Sequence, residues 1–494
     1  MAETSTSFGK WRSHFFPIHK SELKRVIPMA LMFFLISLNY NALRVYKDTF
    51  IVTAHFSGAE AIPFIKTWVV VPSAVLFTLL YTRLVNLFRQ ETVTYIIFSI
   101  FLIFFFLFGF LFYPSQDFFH PHQLADQLQS LLPAGYKGLI AVFRNWTFTL
   151  FYVFSELWST MIFTVVFWGF VNEITSVHDA KRFYGFIMTV GNIAGIFSGQ
   201  LAILFTQSHP IPWISYGNKP WDQSVFLLTC LLLTSGLLIM LLFRWLNVYI
   251  LRPAENLKTA SPKIRLSLRE SFRHLLRSRY LAYIAIIVLG YNLAFNLIEI
   301  VWKDQIKHIY PEPAMYNIFM GKVITITAII GTIAGFFVTS GIIRRYPWTF
   351  TAMIPPMLVG GTGVLFFFYV CSYLNQLPWA LALSSTPVLL GVMLGAVQNC
   401  LTRASKYTIF DATKEIALIP LDTQSKLIGK AAIDGIGSRI GKSAGSIIHQ
   451  GFLIIFTTIA GSTPYVAIIF LGVVLLWSLA VMSLGKQFEQ LAAG

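Results

Sequence analysis

The fold is decided by an apolar stretch near the start of the chain, VIPMALMFFLISLNYNALRVYKD, at residues 26–48. Its first 18 residues carry no charge, and Arg44, Lys47 and Asp48 follow directly. An uncharged apolar run of this length is a candidate transmembrane helix. The sequence therefore predicts a membrane span that ends in a group of charged side chains.

Composition indicates that this span is one of many. Of the 494 residues, 56% are hydrophobic and 12% are charged, about half the charged share of a soluble domain. This composition excludes a disordered chain and argues against a soluble enzyme. Twelve apolar segments are predicted, at 26–52, 66–86, 93–113, 139–172, 183–206, 223–246, 280–302, 316–342, 348–371, 386–406, 431–459 and 464–485. The predicted fold is an all-α integral membrane protein with 12 transmembrane helices in two six-helix halves, like a major-facilitator transporter.

The net charge of +16 would suit a nucleic-acid partner, but its distribution favours a membrane topology. With both termini cytoplasmic, 26 of the 37 Lys and Arg residues fall in cytoplasmic segments and 5 in outer loops, which include Lys66 and Lys303. This is the positive-inside pattern. We expect no nucleic-acid partner, and no signal or transit peptide is recognised. The expected location is the bacterial cytoplasmic (inner) membrane, with multiple spans.

The basic segment 247–279 divides the apolar segments into two sets of six. The predicted organisation is a cytoplasmic N-terminus at 1–25, a six-helix bundle at 26–246, a cytoplasmic linker at 247–279, a second bundle at 280–485 and a cytoplasmic tail at 486–494.

Charged residues inside the spans are the candidate functional groups, because burying a charge in a membrane is costly. The predicted embedded cations are Arg44, Lys47, Arg144, Lys322, Arg439 and Lys442, with Lys430 at the mouth; the embedded acids are Asp48, Glu156, Glu299 and Asp434. A surplus of Lys and Arg predicts an anionic ligand, and phosphorylated solutes are natural candidates.

Helical spacing aligns some of these groups with other polar residues. Asn296, Glu299 and Lys303 lie on one stripe of the seventh segment, and Lys430 and Asp434 on another in the eleventh. Each stripe also has a structural interpretation: an outer cap with Glu299 paired to Lys303, and a cytoplasmic amphipathic lead-in.

Motifs for catalysis are lacking in the sequence. Gly437 to Ser443 resembles a P-loop, but three residues rather than four separate its glycines. The pair His120 and His122 is expected to be solvated in an outer loop. We predict no enzyme activity, no metal site and no cofactor.

Several stretches, in order from about residue 20 to 490, resemble the nucleotide transporter family, the ATP/ADP translocases of intracellular bacteria and plastids. They are GAEAIPF (58–64) with Lys66 and Trp68, SELW (155–158), FWGF (167–170), AKRFY (180–184), NLIE (296–299) with Trp302 and Lys303, FMG (319–321), Lys406-Tyr407, FDATKE (410–415), IPLD (419–422) and GKAAID (429–434). The resemblance implies a twelve-span transporter that exchanges nucleotides or imports them with protons. It also implies that four charged positions matter for transport, here Lys47, Glu156, Glu299 and Lys430.

The first span departs from the family pattern. Arg44-Val45-Tyr46-Lys47-Asp48 stands where energy-exchanging members typically have Arg-Asp-Thr-Lys-Asp. This departure leaves open ATP/ADP exchange, NAD/ADP exchange and proton-coupled import of nucleoside triphosphates. Tyr46 is predicted to offer a stacking surface for a base.

The resulting prediction is a secondary transporter that exchanges a nucleotide, of ATP/ADP type, by alternating access. The alternative from another class is a transporter of a different phosphorylated solute. The expected partners are the nucleotide (ATP, ADP, another nucleoside triphosphate or NAD) and the lipid bilayer, with no obligatory protein partner. The predicted substrate-binding residues are Lys47, Glu156, Glu299, Lys430, Arg44, Arg439, Tyr46 and Asn296, and the predicted coupling residues are Glu156, Glu299 and Asp434.

Overall fold

The computed structural model describes residues 18–175, 177–206, 209–217, 219–251, 278–335, 345–421, 433 and 438–493. Its long helices are α1 (Leu23–Val52), α2 (Ala61–Leu87), α3 (Gln90–Phe112), α4 (His122–Leu131), α5 (Lys137–Arg144), α6 (Trp146–Asn172), α7 (Val177–Phe205), α8 (Pro220–Tyr249), α9 (Arg279–Ile309), α10 (Pro313–Ile333), α11 (Trp348–Leu374), α12 (Pro387–Ala417), α13 (Ser438–Phe456) and α14 (Ile459–Ala493). Short helical turns lie between several of them. The described residues contain no strand, which confirms the all-α prediction.

Eleven of these helices are long and apolar enough to cross a membrane, within the described ranges. They coincide with eleven of the twelve predicted segments. The remaining segment, 431–459, contains α13, whose apolar part is the shorter stretch Ser443–Phe456. Hydrophobic content thus explains why these stretches form helices, since a membrane helix satisfies every backbone hydrogen bond internally.

One predicted segment, 139–172, is two helices instead of one. The helix is interrupted between α5 and α6 at Asn145, whose backbone dihedral angles lie outside the helical region. The Asn145 side-chain amide donates a hydrogen bond to the Ala141 carbonyl over 3.2 Å. Thr149 Oγ1 donates to the Val142 carbonyl across the break. Because Asn and Thr side chains compete with the backbone for hydrogen bonds, they replace helical bonds at this point.

Contacts group the chain into two compact units. Unit 1 contains Met1–Val45, Ala74–Pro114 and Phe154–Ser261, and unit 2 contains Tyr46–Ser73, Ser115–Val153 and Pro262–Gly494. Each unit therefore draws on segments from separate parts of the sequence. The predicted division into bundles at 26–246 and 280–485 stays a prediction.

Unit 1 is built around aromatic packing. The rings of Phe104 and Phe154 stack with centroids 3.7 Å apart, and Trp158 packs edge-on against Phe101 at 5.7 Å. Polar contacts join its helices: Ser235 Oγ donates to Asn39 Oδ1 over 2.8 Å. These contacts join the parts of α1, α3, α6 and α8 that belong to this unit.

Unit 2 is organised around α9, most of which is buried. It packs against α12, α13 and α14. Close approach depends on small residues: a side chain at Gly290 would meet Trp477, one at Gly395 would meet Trp302, and one at Gly445 would meet Asn296. Such glycines let membrane helices approach closely, and they bring polar groups of α9 next to those of its neighbours.

Candidate functional site: a buried cluster of charged side chains

Six charged side chains of unit 2 form one connected cluster, which we call the charge cluster. It consists of Lys47 and Asp48 near the end of α1, Lys66 in α2, Glu299 and Lys303 in α9 and Arg403 in α12. Four helices, from both the first and the second half of the sequence, therefore contribute to one site.

Asp48 lies between two lysines. Its Oδ2 is 2.8 Å from Lys303 Nζ, and its Oδ1 is 3.3 Å from Lys47 Nζ. The side chains of Lys303 and Asp48 are 1% and 2% exposed, so water screens this pair poorly. Lys47 Nζ also lies 3.9 Å from the centre of the Tyr152 ring, a cation–π contact that steers the ammonium group.

Glu299 contacts three cations. Its Oε1 accepts from Arg403 Nη2 over 2.9 Å and lies 3.3 Å from Lys303 Nζ, while its Oε2 lies 3.3 Å from Lys66 Nζ. Lys303 thus bridges the two carboxylates of the cluster. The pairing of Glu299 with Lys303 was the structural alternative for the α9 stripe, but the pair is buried within a larger cluster and is not an exposed cap.

Arg403 is oriented by its surroundings on three sides. Its Nε donates to Asn399 Oδ1 over 2.9 Å, Nη2 donates to Glu299, and Cζ lies 4.5 Å from the centre of the Phe295 ring. Arg403 is followed by a π-helical segment, Lys406–Phe410, and Lys66 lies inside another, Ile65–Val70. Wide helical turns of this kind are frequent at functional sites.

The cluster carries a surplus of positive charge. Among its six described side chains, four cations face two carboxylates, which gives these six a formal charge of +2, and the exposed fractions of the four cationic side chains run from 1% to 14%. Burying unbalanced charge is costly unless a counter-ion joins it. Lysine and arginine donate short, strong hydrogen bonds to phosphate oxygens. The arrangement is therefore suited to binding an anion with several oxygens.

The structure brings two of the predicted site residues, Lys47 and Glu299, into the cluster. Asn296 is buried and packs against Gly445 at the α9–α13 contact. The Tyr46 ring is fully buried near Phe50. The stacking role predicted for Tyr46 stays a prediction.

The other predicted site residues lie elsewhere. Arg44 is buried and Glu156 is half-buried, both in unit 1. Lys430 and Asp434 lie outside the described residues, as do the side chains of Arg439 and Lys442. Their predicted roles stay predictions.

Two cations that we expected to be embedded in the cavity have other surroundings. Arg144 ends the short helix α5, and its Nη2 lies 2.6 Å from Asp126 Oδ1. Lys322 is exposed on α10. Neither belongs to the charge cluster, whose cations besides Lys47 are three others.

Those three cations, Lys66, Lys303 and Arg403, were missed as site residues. Lys66 and Lys303 were expected in outer loops and Arg403 in a cytoplasmic segment, but all three lie within helices that are long and apolar enough to cross a membrane. The expectation was wrong because the predicted spans at 66–86, 280–302 and 386–406 begin or end beside them. The spacing of Glu299 with Lys303 and of Asn399 with Arg403, each i to i+4, was the available signal.

A second set of contacts holds the start of α2. The Gln450 amide nitrogen donates to the Pro63 carbonyl over 2.9 Å and to Thr67 Oγ1 over 2.8 Å, and its oxygen accepts from Trp68 Nε1 over 2.9 Å. Lys307 Nζ donates to the Ser57 carbonyl. We call the three bonds of Gln450 the Gln450 clamp; it fixes the segment that carries Lys66.

The expectation that His120 is solvated is wrong. Its side chain is buried, and Nε2 lies 2.6 Å from Thr147 Oγ1. Burial, and secondarily the neighbouring His122, lowers the pKa of His120 to about 4.

Comparison with known proteins adds independent information. The family model described as "TLC ATP/ADP transporter" matches residues 1–488. The chain is 43% identical over 487 residues to "ADP,ATP carrier protein 1" of Chlamydia trachomatis, covering 97% of this chain and 92% of that protein. It is 39% identical over 476 residues to "ADP,ATP carrier protein 1, chloroplastic" of Arabidopsis thaliana, covering 96% and 76%.

Solved structures resemble the chain in fold alone. A bacterial homologue of the iron transporter ferroportin, in an inward-facing state, superposes with a TM-score of 0.58 at 14% identity, covering 95% of this chain and 100% of that one. The nucleoside transporter NupG superposes with a TM-score of 0.56 at 12% identity, covering 94% of this chain and 99% of that one. The predicted major-facilitator-like fold is confirmed. Since the family model matches residues 1–488 and the Chlamydia relative is 43% identical over 97% of this chain, the chain belongs to the TLC ATP/ADP transporter family.

Proposed function

We propose that the protein exchanges ATP for ADP across a bacterial cytoplasmic membrane by alternating access. The observation that carries the proposal is the charge cluster, in which four buried cations face two carboxylates. The names of the bacterial and plastid relatives, which are ADP,ATP carriers, support the choice of substrate.

The geometry suggests how binding would proceed. The phosphates of an entering nucleotide compete with Asp48 and Glu299 for Lys47, Lys66, Lys303 and Arg403. The cations then divide their hydrogen bonds between the carboxylates and the phosphate oxygens, so that Asp48 and Glu299 also keep a cationic partner. Because the empty cluster retains its surplus charge, the empty carrier changes unfavourably between its inward-facing and outward-facing states. A bound anion offsets the charge and removes this energetic penalty. Exchange rather than net flux follows from this difference.

Residues beyond the cluster complete the proposal. Lys430 and Arg439 supply further cations to the phosphates, with Arg44 in support. Glu156 and Asp434 act with Glu299 as balancing or proton-coupling groups. These assignments rest on the resemblance and on the charges of the sequence.

Substitution of Lys303 tests the central claim. The variant Lys303→Ala removes the cation that bridges both carboxylates, so we expect kcat/KM for ATP/ADP exchange in proteoliposomes to fall about 100-fold. Lys303→Arg keeps the charge and should recover part of the activity. The matched control is Lys137→Ala, since that lysine is 49% exposed and pairs with Glu60 at 3.7 Å. Normal exchange by Lys303→Ala would contradict the proposed site.

The same proteoliposomes identify the substrate and the coupling. Labelled ATP uptake should be accelerated by internal ADP and insensitive to a protonophore. Competition by GTP, UTP, NAD and glucose 6-phosphate separates ATP/ADP exchange from the other transport reactions. Preferential exchange of NAD, or uptake abolished by the protonophore, would replace the proposed reaction with the corresponding alternative.

We also propose that both termini are cytoplasmic. The exposed positions Ser130, in α4, and Glu489, near the end of α14, then lie on opposite sides of the membrane. In a background with Cys230, Cys371 and Cys400 replaced by Ser, a membrane-impermeant maleimide should label Ser130→Cys in intact cells. It should label Glu489→Cys only after lysis. The reverse pattern would overturn this topology.

A further inference from the structure

A buried tyrosine next to the charge cluster has an unsatisfied hydroxyl group. Tyr316 lies in the first turn of α10, which begins at Pro313. Its side chain is 0% exposed, and its hydroxyl has no hydrogen-bond partner among the residues that the structure describes. Most buried hydroxyl groups are hydrogen-bonded, so this exception calls for a physical reason.

Contacts at the start of α10 place Tyr316 beside the charge cluster. Thr49 Oγ1 donates to Asn317 Oδ1 over 3.2 Å, which fixes the start of α10 against the end of α1. Tyr316 directly precedes Asn317, as Asp48 precedes Thr49. The Tyr316 hydroxyl is close enough to Asp48, Glu299 and Lys47 to interact with them electrostatically.

The acceptors in the cluster are already engaged. Asp48 is in contact with two lysines, and Glu299 with two lysines and an arginine. A phosphate group would bring additional oxygens, each able to accept several hydrogen bonds. An unsatisfied donor beside a cationic cluster is therefore complementary to a phosphate.

We propose that the Tyr316 hydroxyl donates a hydrogen bond to a phosphate oxygen of the bound nucleotide and is a specificity-determining residue of the exchange. This inference rests on the proposed function. The lysines and the arginine attract any negative charge at the site. The Tyr316 hydroxyl, in contrast, requires a hydrogen-bond-accepting oxygen at one position. An anion without that oxygen leaves the hydroxyl unsatisfied and is selected against.

The variant Tyr316→Phe removes only the hydroxyl. We expect the KM for ATP and ADP exchange to rise about tenfold, as for the loss of one hydrogen bond to a charged group, with kcat changed less than twofold. Because the hydroxyl is unsatisfied without substrate, the thermal unfolding midpoint of the nucleotide-free variant should be unchanged or higher. A purely structural hydroxyl would lower that midpoint.

Tyr280→Phe is the matched control. The Tyr280 hydroxyl donates to the Ala417 carbonyl over 2.6 Å, remote from the cluster. Its loss should lower the unfolding midpoint and leave KM unchanged. For Tyr316→Phe, an unchanged KM beside normal wild-type exchange would overturn this inference alone, as would a raised KM accompanied by a lowered midpoint. A wild-type protein without ATP/ADP exchange would overturn the proposed function and this inference with it.

Discussion

At the residue scale, His120 illustrates how burial determines charge. It lies between the spans α3 and α6, and its ring packs against Phe148 with centroids 4.9 Å apart. Burial is the main reason that its pKa falls to about 4; His122 lowers it further, and Asp117 opposes the change. At neutral pH the imidazole is therefore neutral and can share a hydrogen bond with Thr147.

The His120 pKa leads to a prediction about acid stability. An unfolded histidine titrates near 6.5, above the folded value of about 4. The folded state thus binds fewer protons than the unfolded state, so the stabilisation is complete above pH 6.5 and is lost as the pH falls towards 4. At pH 5 the loss is about 2 kcal/mol.

Thermal unfolding of the purified protein between pH 7.5 and pH 5 measures this loss. The variant His120→Gln cannot titrate at this position, so its unfolding midpoint should fall less than that of the wild type over the same range. Parallel curves for the two proteins would show that another group is responsible.

The sequence pattern identified some residues of the charge cluster and missed others. Lys47 and Glu299 could be selected from the sequence because a charge inside an apolar run is conspicuous. Lys303 and Arg403 were not selected as site residues, although each has a polar residue four positions earlier, because each lies at the end of an apolar run, where a long cationic side chain usually reaches the membrane surface. Only the packing of α1, α9 and α12 shows that these side chains point into a shared cluster.

At the element scale, the Gln450 clamp joins α13 to the start of α2. One amide side chain contacts the Pro63 carbonyl, Thr67 and Trp68. Lys66 lies among these residues and is therefore held towards Glu299 by bonds that it does not itself make. Positioning of a charged group by neighbouring polar contacts is a general requirement of precise binding sites.

Replacing the clamp residue should affect both folding and exchange. Gln450→Leu removes three hydrogen bonds, and we expect the free energy of unfolding to fall by about 2 kcal/mol and the exchange rate to decrease. Trp68→Phe removes one of these bonds, from an indole that is largely exposed, so its effect should be smaller. A larger effect of Trp68→Phe on the unfolding midpoint would contradict this account of the clamp.

The elements themselves were largely predictable, but their interruptions were not. Apolar runs located eleven spans because hydrophobicity over about 20 residues is a strong signal. The break at Asn145 was missed, since neither Gly nor Pro marks it and Asn side chains also occur inside membrane helices. The π-helical segments at Ile65–Val70 and Lys406–Phe410 likewise have no sequence signature.

At the scale of the whole molecule, composition and charge distribution were sufficient to predict a multi-span transporter fold. The grouping of segments was not predictable in this way. Residues 46–73 and 115–153 join 262–494 in unit 2 through contacts such as the Lys303–Asp48 and Lys66–Glu299 ion pairs. Such long-range pairings depend on three-dimensional packing that linear periodicity does not encode.

The surplus charge of the cluster also has an electrical consequence. A charge that crosses the full field of an energised membrane gains or loses about 2.3 kcal/mol per 100 mV. The six side chains of the charge cluster carry a formal charge of +2, which a bound polyphosphate offsets. Voltage should therefore act differently on the unloaded and loaded carriers. The resting potential of the cell then helps to determine how strictly inward and outward movement of nucleotides are coupled.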